Sequence, residues 1–159
     1  MSERDQTTWI LGLQGWEVVG NGVREEDGKL VLNVVHAQGS GYTCSACGAG
    51  VLIGYDHLET RQVRDFPWAG RICALEVTFA RVDCPACGAI AVEATGWVDP
   101  YARMTLRYEK YVAALCSLMP VTDVADLEGL DKTTVYRIDK KWLERREAIR
   151  PDHVVKRLG

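Results

Sequence analysis

Alternating apolar and polar positions mark much of the first hundred residues, and the period lengthens to three or four residues after them. In "WEVVGNGVREEDGKLVLNVVHA" two β-rich runs, Trp16 to Val23 and Lys29 to Ala37, flank "EEDG", whose Asp-Gly pair suits a tight turn with positive φ. This predicts a hairpin, and the first forty residues read as strands. A second hairpin is expected where "ETRQVRDF" and "RICALEVTFARV" flank "PWAG". In its second arm Cys73, Leu75, Val77 and Phe79 alternate with Ile72, Ala74, Glu76 and Thr78, and the first set should face a small core.

After "GWVDPYARM" the pattern becomes helical. Thr105 can cap a helix whose apolar positions Tyr108, Val112, Leu115 and Met119 recur at steps of four, three and four, with Pro120 at its end. Thr122 can cap a short helix, "DVADLEG", with Val124, Ala125 and Leu127 inward and Gly129 as its stop. Asp131 then caps "KTTVYRIDKKWLERREA", which buries Val135, Ile138 and Trp142. The expected class is α+β: a β-rich domain over residues 1–100, then a three-helix unit over 101–159.

Composition narrows the partners. With 47% apolar and 26% charged residues the chain of 159 has the balance of a folded protein. No apolar run approaches the roughly 20 residues needed to cross a bilayer, and "MSERDQTTW" lacks the features of a secretory signal. A reducing cytoplasm is therefore expected, where paired cysteines hold metal more often than they form disulfides. The net charge of −3 hides an asymmetry: residues 1–102 carry 7 Lys/Arg against 13 Asp/Glu, and residues 103–159 carry 12 against 9. Nucleic acid is the first partner to consider for the basic end, although such a stretch can also be a solvated helix face.

The motif with the most chemistry is doubled. "YTCSACGAG" and "VDCPACGAI" each place two cysteines three apart with a glycine directly after the second. Tetrahedral zinc needs four ligands, and each two-residue spacer lets both sulfurs of one turn reach a metal about 2.3 Å away. Cys44, Cys47, Cys84 and Cys87 are therefore the expected ligands of one structural zinc, with the second hairpin between the two turns. A redox centre would ordinarily use one pair before a helix, paired disulfides would want an oxidising compartment, and catalytic zinc usually keeps an open position. His57 lies between the pairs and could replace a cysteine, but with four thiols present it reads better as a surface histidine. His36 and His153 show no partner pattern, and Cys73 and Cys116 read as small hydrophobes.

"VTDVADLEGLDKTTVYRIDKKWLERR" has the layout of a helix-turn-helix, in which the second helix enters the major groove and its N-terminal residues reach base edges. Lys132, Thr133, Thr134, Tyr136 and Arg137 are the expected reading residues. Lys140, Lys141, Arg145 and Arg146 are expected on phosphates. A helical bundle with a charged outer face is the competing explanation.

Together, "CSACG", "YDHLETRQVRDFPWAGRICALEVTFARVDCPACG", "RMTLRYEKYVAALCSL" and "VADLEGLDKTTVYRI" resemble the N-terminal half of bacterial ISL-type insertion-sequence transposases, over nearly all of the chain. The resemblance implies that a zinc ribbon and a helix-turn-helix recognise terminal inverted repeats on double-stranded DNA, with a later catalytic domain cutting and joining. It assigns Cys44, Cys47, Cys84 and Cys87 as zinc ligands and the recognition helix to the region of Thr133 to Lys140. One departure is "FARVDC", where similar sequences tend to carry paired arginines and this one has Arg81, Val82 and Asp83. The chain stops at "HVVKRLG", where similar proteins lead into the first catalytic strand, so a DNA-binding module without catalysis, membrane contact or small-molecule substrate is expected. Paired terminal repeats favour a homodimer, for which no coiled-coil repeat is visible. A zinc-stabilised protein-interaction adaptor or a transcriptional regulator is the alternative.

Overall fold

The structure is a computed structural model, and it describes residues 3–149. In chain order the elements are α1 (Glu3–Leu11), β1 (Trp16–Glu26), β2 (Lys29–His36), β3 (Tyr42–Thr43), β4 (Gly50–Val51), β5 (Asp56–His57), β6 (Arg61–Trp68), β7 (Arg71–Val77), β8 (Ala80–Asp83), β9 (Ile90–Val92), α2 (Leu106–Cys116), α3 (Val121–Glu128) and α4 (Lys132–Ile149). The class is α+β, β-rich in front and helical behind. Two compact units, Met1–Tyr108 and Glu109–Gly159, divide the chain inside α2. Asp152, His153 and the last ten residues of the expected 101–159 segment lie outside the described residues. No described helix is long and apolar enough to cross a membrane.

Both expected hairpins form. Asp27 and Gly28 take φ of 49° and 74°, the doubly left-handed turn that matches strand twist. The second hairpin turns on Ala69 and Gly70 (φ 51° and 73°), so Pro67 and Trp68 stay in β6 rather than in the loop, beside a register shift after Asp65. The hairpins join through a parallel pairing of β2 with β7, giving the order β1-β2-β7-β6. Cys73, Leu75, Val77 and Phe79 are buried as the alternation requires, against Leu32, Val34 and Val63. Trp16, Phe79 and Trp97 close this core, with the two indoles edge to face at 5.3 Å.

The reading of the first forty residues as strands is corrected at the start, where residues 3–11 form a helix. "ERDQTTWIL" lacks the period-two alternation of a half-buried strand. Thr8 Oγ1 of this helix accepts the Val18 N–H at 3.0 Å, covering a donor on the outer edge of β1.

A buried carboxylate ties the sheet to the start of α2. Asp65 is 2% exposed and accepts hydrogen bonds from Thr105 Oγ1 at 2.7 Å and from Arg107 Nε at 2.7 Å. Thr105 in turn caps α2 by accepting the Tyr108 N–H at 3.3 Å, as its position predicts. Arg107 also donates to the Leu11 carbonyl. The backbone repeats the connection, since Arg64 N–H bonds Arg103 and Thr105 N–H bonds Arg64. Asp65→Ala would strip Thr105 and Arg107 of their shared acceptor. The expected cost is roughly 2 kcal/mol in urea unfolding, less than for a fully buried pair because Arg107 reaches water. A loss within 0.5 kcal/mol would show that the link is not structural.

Candidate metal centre and helix-turn-helix

Each Cys-x-x-Cys segment is a turn between two short strands. Cys44 and Cys47 lie between β3 and β4, which pair through Tyr42 with Val51 and Thr43 with Gly50. Cys84 and Cys87 lie between β8 and β9, which pair through Asp83 with Ile90. The two turns repeat the same bonds: Gly48 N–H to the Cys44 carbonyl at 2.8 Å and Cys44 N–H to Ala49 at 2.8 Å, then Gly88 N–H to Cys84 at 2.7 Å and Cys84 N–H to Ala89 at 3.0 Å. Gly48 and Gly88 leave the turns at φ of 77° and 71°, where a Cβ would be strained.

The turns face each other. Cys44 Sγ is 3.8 Å from Cys87 Sγ, Cys47 Sγ is 3.6 Å from Cys84 Sγ, and all four sulfurs lie within 4.8 Å of one another. These separations exceed the roughly 2.05 Å of a disulfide. They fit the edges, about 3.8 Å, of a tetrahedron whose metal–sulfur arms are about 2.3 Å. The donor set therefore fits zinc. Cys44 and Cys84 are buried with Val82, while Cys47 and Cys87 are exposed. Amides of Cys87 and Ala86 point at the Cys84 sulfur and bring its thiol down to about 7. At Cys47 the Ala49 amide acts in the same direction, but the crowded sulfurs of Cys84, Cys87 and Cys44, with burial, push the thiol up to about 12. Four acidic groups in one small space resist ionising together without a cation.

His57 is exposed on β5, outside this cluster. His36, which has no partner pattern in the sequence, stacks on Trp16 at 4.0 Å, and its Nε2 lies 2.7 Å from the buried carboxylate of Glu93. Glu93 also accepts the Ala80 N–H at 2.7 Å, and its backbone bridges Cys44. This braces the first cysteine turn from behind. A charged residue in the alternation of "IAVEA" is the one sequence sign of it.

In the second unit α3 ends on Gly129 in the left-handed conformation (φ 59°, ψ 41°), and Asp131 opens α4 by accepting the Thr133 N–H at 2.8 Å. Val124, Ala125, Val135 and Ile138 are buried between the helices, and Trp142 is half-buried. Three expectations are corrected. Helix α2 stops at Cys116, a turn before Pro120, and Pro120 itself takes the N-cap position of α3. Thr122 therefore sits inside the first turn of α3 and makes no cap bond. Leu127 is 63% exposed, because the buried positions of α3 are Val124, Ala125 and Glu128 instead.

The expected DNA-facing residues separate into groups. Lys132, Thr133, Tyr136, Arg137 and Lys140 are exposed along one face of α4, at steps of one, three, one and three, with Thr134 half-buried beside them. Lys141 instead pairs with the buried carboxylate of Glu109 on α2, which also accepts the Trp142 indole N–H at 3.4 Å. The Arg145 guanidinium lies over the Trp142 ring at 5.2 Å, and Arg146 is exposed. Neither Glu109–Lys141 nor Asp65–Arg107 is marked in the sequence beyond a charge falling in a buried phase.

Such a second unit defines a helix-turn-helix domain. Residues 93–143, about a third of the chain, match the family model described as the helix-turn-helix domain of transposase family ISL3, the family that the cysteine and helix motifs resemble. No curated protein and no solved structure matches the chain.

The cap on α4 titrates. Hydrogen bonds from the Thr133 and Thr134 amides hold the Asp131 carboxyl below the ordinary carboxylate range. A depressed folded value means that the cap is fully present above the unfolded value and is lost as pH falls through the folded one. Protection factors of the Thr133 and Thr134 amides, corrected for intrinsic exchange, should fall on acidification, and Asp131→Asn, a cap without that titration, should flatten the response.

Proposed function

We propose that the chain binds DNA at the terminal inverted repeats of an insertion element, as the recognition module of a transposase, and does not itself cut or join DNA. The match of residues 93–143 to a transposase helix-turn-helix domain carries this reading. The exposed face of α4, with three cations among five residues, suits a groove rimmed by phosphates. On this reading Lys132, Thr133, Thr134, Tyr136 and Arg137 read base edges. Lys140, Arg145 and Arg146 hold the backbone, and Lys141 joins them only by leaving Glu109. Residues 1–100 act as the ribbon and 101–159 as a three-helix DNA-binding domain in a cytoplasmic protein, which the paired repeats engage as two copies.

Cys44, Cys47, Cys84 and Cys87 would hold one zinc ion, whose chemistry is structural: four thiolates close the shell and leave no position for water. Elemental analysis should give one zinc per chain, and cobalt should give the visible bands of a tetrahedral tetrathiolate. Because metal binding and folding are coupled in small ribbons, chelation or Cys87→Ser should loosen the β-rich unit before the helices. A metal-free chain with unchanged melting would refute the site.

DNA binding should weaken steeply with salt as counterions are released. Arg137→Ala should reduce discrimination between terminal-repeat and random duplex, whereas Lys140→Ala should weaken both equally and lower the salt slope by about one. Equal losses on both duplexes for Arg137→Ala would remove its reading role.

A second reading, a protein-interaction adaptor, draws on Leu52 and Ile53, which are 90% and 80% exposed just after the first cysteine turn. An oligomer without affinity for any duplex, seen by light scattering beside a gel shift, would favour it.

A further inference from the structure

We propose that Arg61, Arg103 and Tyr101 form a second phosphate-backbone contact for duplex DNA, carried by the β-rich unit and separate from α4. The proposal rests on the DNA-binding function above and extends it to a unit whose overall charge is negative.

Three observations meet at this surface. The first is a costly turn. Asp99, Pro100, Tyr101 and Ala102 form a β-turn closed by Ala102 N–H to the Asp99 carbonyl at 3.0 Å. Tyr101 occupies its third position with φ of 62°, where glycine or asparagine is the usual residue. A tyrosine there is strained, and the turn holds its ring 68% exposed. Strain kept at an exposed aromatic is a sign of use rather than of packing.

The second is an unsatisfied donor. Arg61 Nε is buried and has no hydrogen-bond partner, while its guanidinium lies 4.6 Å from the centre of the Phe79 ring. A buried N–H without an acceptor is destabilising in the free protein, so this guanidinium is held in place without a neutralising partner. The third is like charge. Burial, and then the neighbouring Arg103 guanidinium, lower the Arg61 pKa, and neither arginine has a carboxylate partner among the described residues. Arg103 is exposed, yet its backbone is fixed, because its carbonyl accepts the Arg64 N–H at 2.8 Å.

Two unneutralised guanidiniums beside an exposed tyrosine suit a phosphodiester: the cations meet its oxygens, and the ring packs on the adjoining sugar or donates its hydroxyl. The nearby Arg81 does not join them, since it is already paired with Asp56. Glu25 and Glu26 are neutralised by Arg71 and Arg24.

The test uses the full chain and a fluorescently labelled random-sequence duplex, with affinity measured by anisotropy across a salt series. Arg103→Ala should weaken binding several-fold and lower the logarithmic salt slope by about one. Tyr101→Gly should raise the thermal midpoint by relieving the turn and yet weaken binding, a combination that loss of structure cannot produce. Wild-type affinity and slope in both variants, while Lys140→Ala still weakens binding, would overturn this contact and leave the helix-turn-helix function standing. A wild-type chain that binds no duplex would overturn both. Displacement of the duplex by inorganic phosphate beyond that by chloride at equal ionic strength would mean a free-anion pocket and would overturn the backbone assignment.

Discussion

Four sulfurs from two turns separated by 36 residues meet within 4.8 Å, and the small sheets around them depend on that meeting. The second turn can reach the first only if β6 and β7 run out and back between them, and only if β8 and β9 carry Cys84 and Cys87 to the site. The small sheets around the cysteines hold two or three strands of two to four residues. Pairs that short are marginal without a further constraint. A cation held by the four thiols would supply it by removing their mutual resistance to ionising.

Larger apolar elements rest on a different constraint. The four-stranded sheet has its own core of valines and leucines closed by Trp16, Phe79 and Trp97. Two buried carboxylates connect it outward. Asp65 holds the first turn of α2 through Thr105 and Arg107, and Glu93 braces the first cysteine turn through His36 and the Ala80 amide. In both, a buried carboxylate is tolerated because neighbouring groups meet it: Thr105 and Arg107 donate to Asp65, and the Ala80 amide donates to Glu93 beside the His36 ring. The Glu109–Lys141 pair plays the same part between α2 and α4.

This division of labour separates fold from function. Apolar stripes on α3 and α4 set the helix-turn-helix geometry, so the side chains free to meet DNA are those that neither pack nor pair. Lys141 shows the distinction: it is a basic residue on the helix proposed to carry the reading face, yet it neutralises Glu109. Charge counted along a sequence overstates the charge available to a partner.

Local chemistry was legible without any structure. Asp27–Gly28, the glycine after each cysteine pair, Gly129, and the caps at Thr105 and Asp131 all act through their own backbone or that of the next few residues, and each does what its residue type dictates. The inward set Cys73, Leu75, Val77 and Phe79 was equally plain, because period two is a property of the strand alone. The four cysteines announced a common site through their spacing. Tertiary structure decided what depends on residues far apart: the parallel pairing of β2 with β7, the fate of Leu127, and the partners found by His36, Asp65 and Lys141. Alternation says which face of an element is buried, but it carries no information about what is packed against that face, and a charge in a buried phase names no partner until the chain has folded.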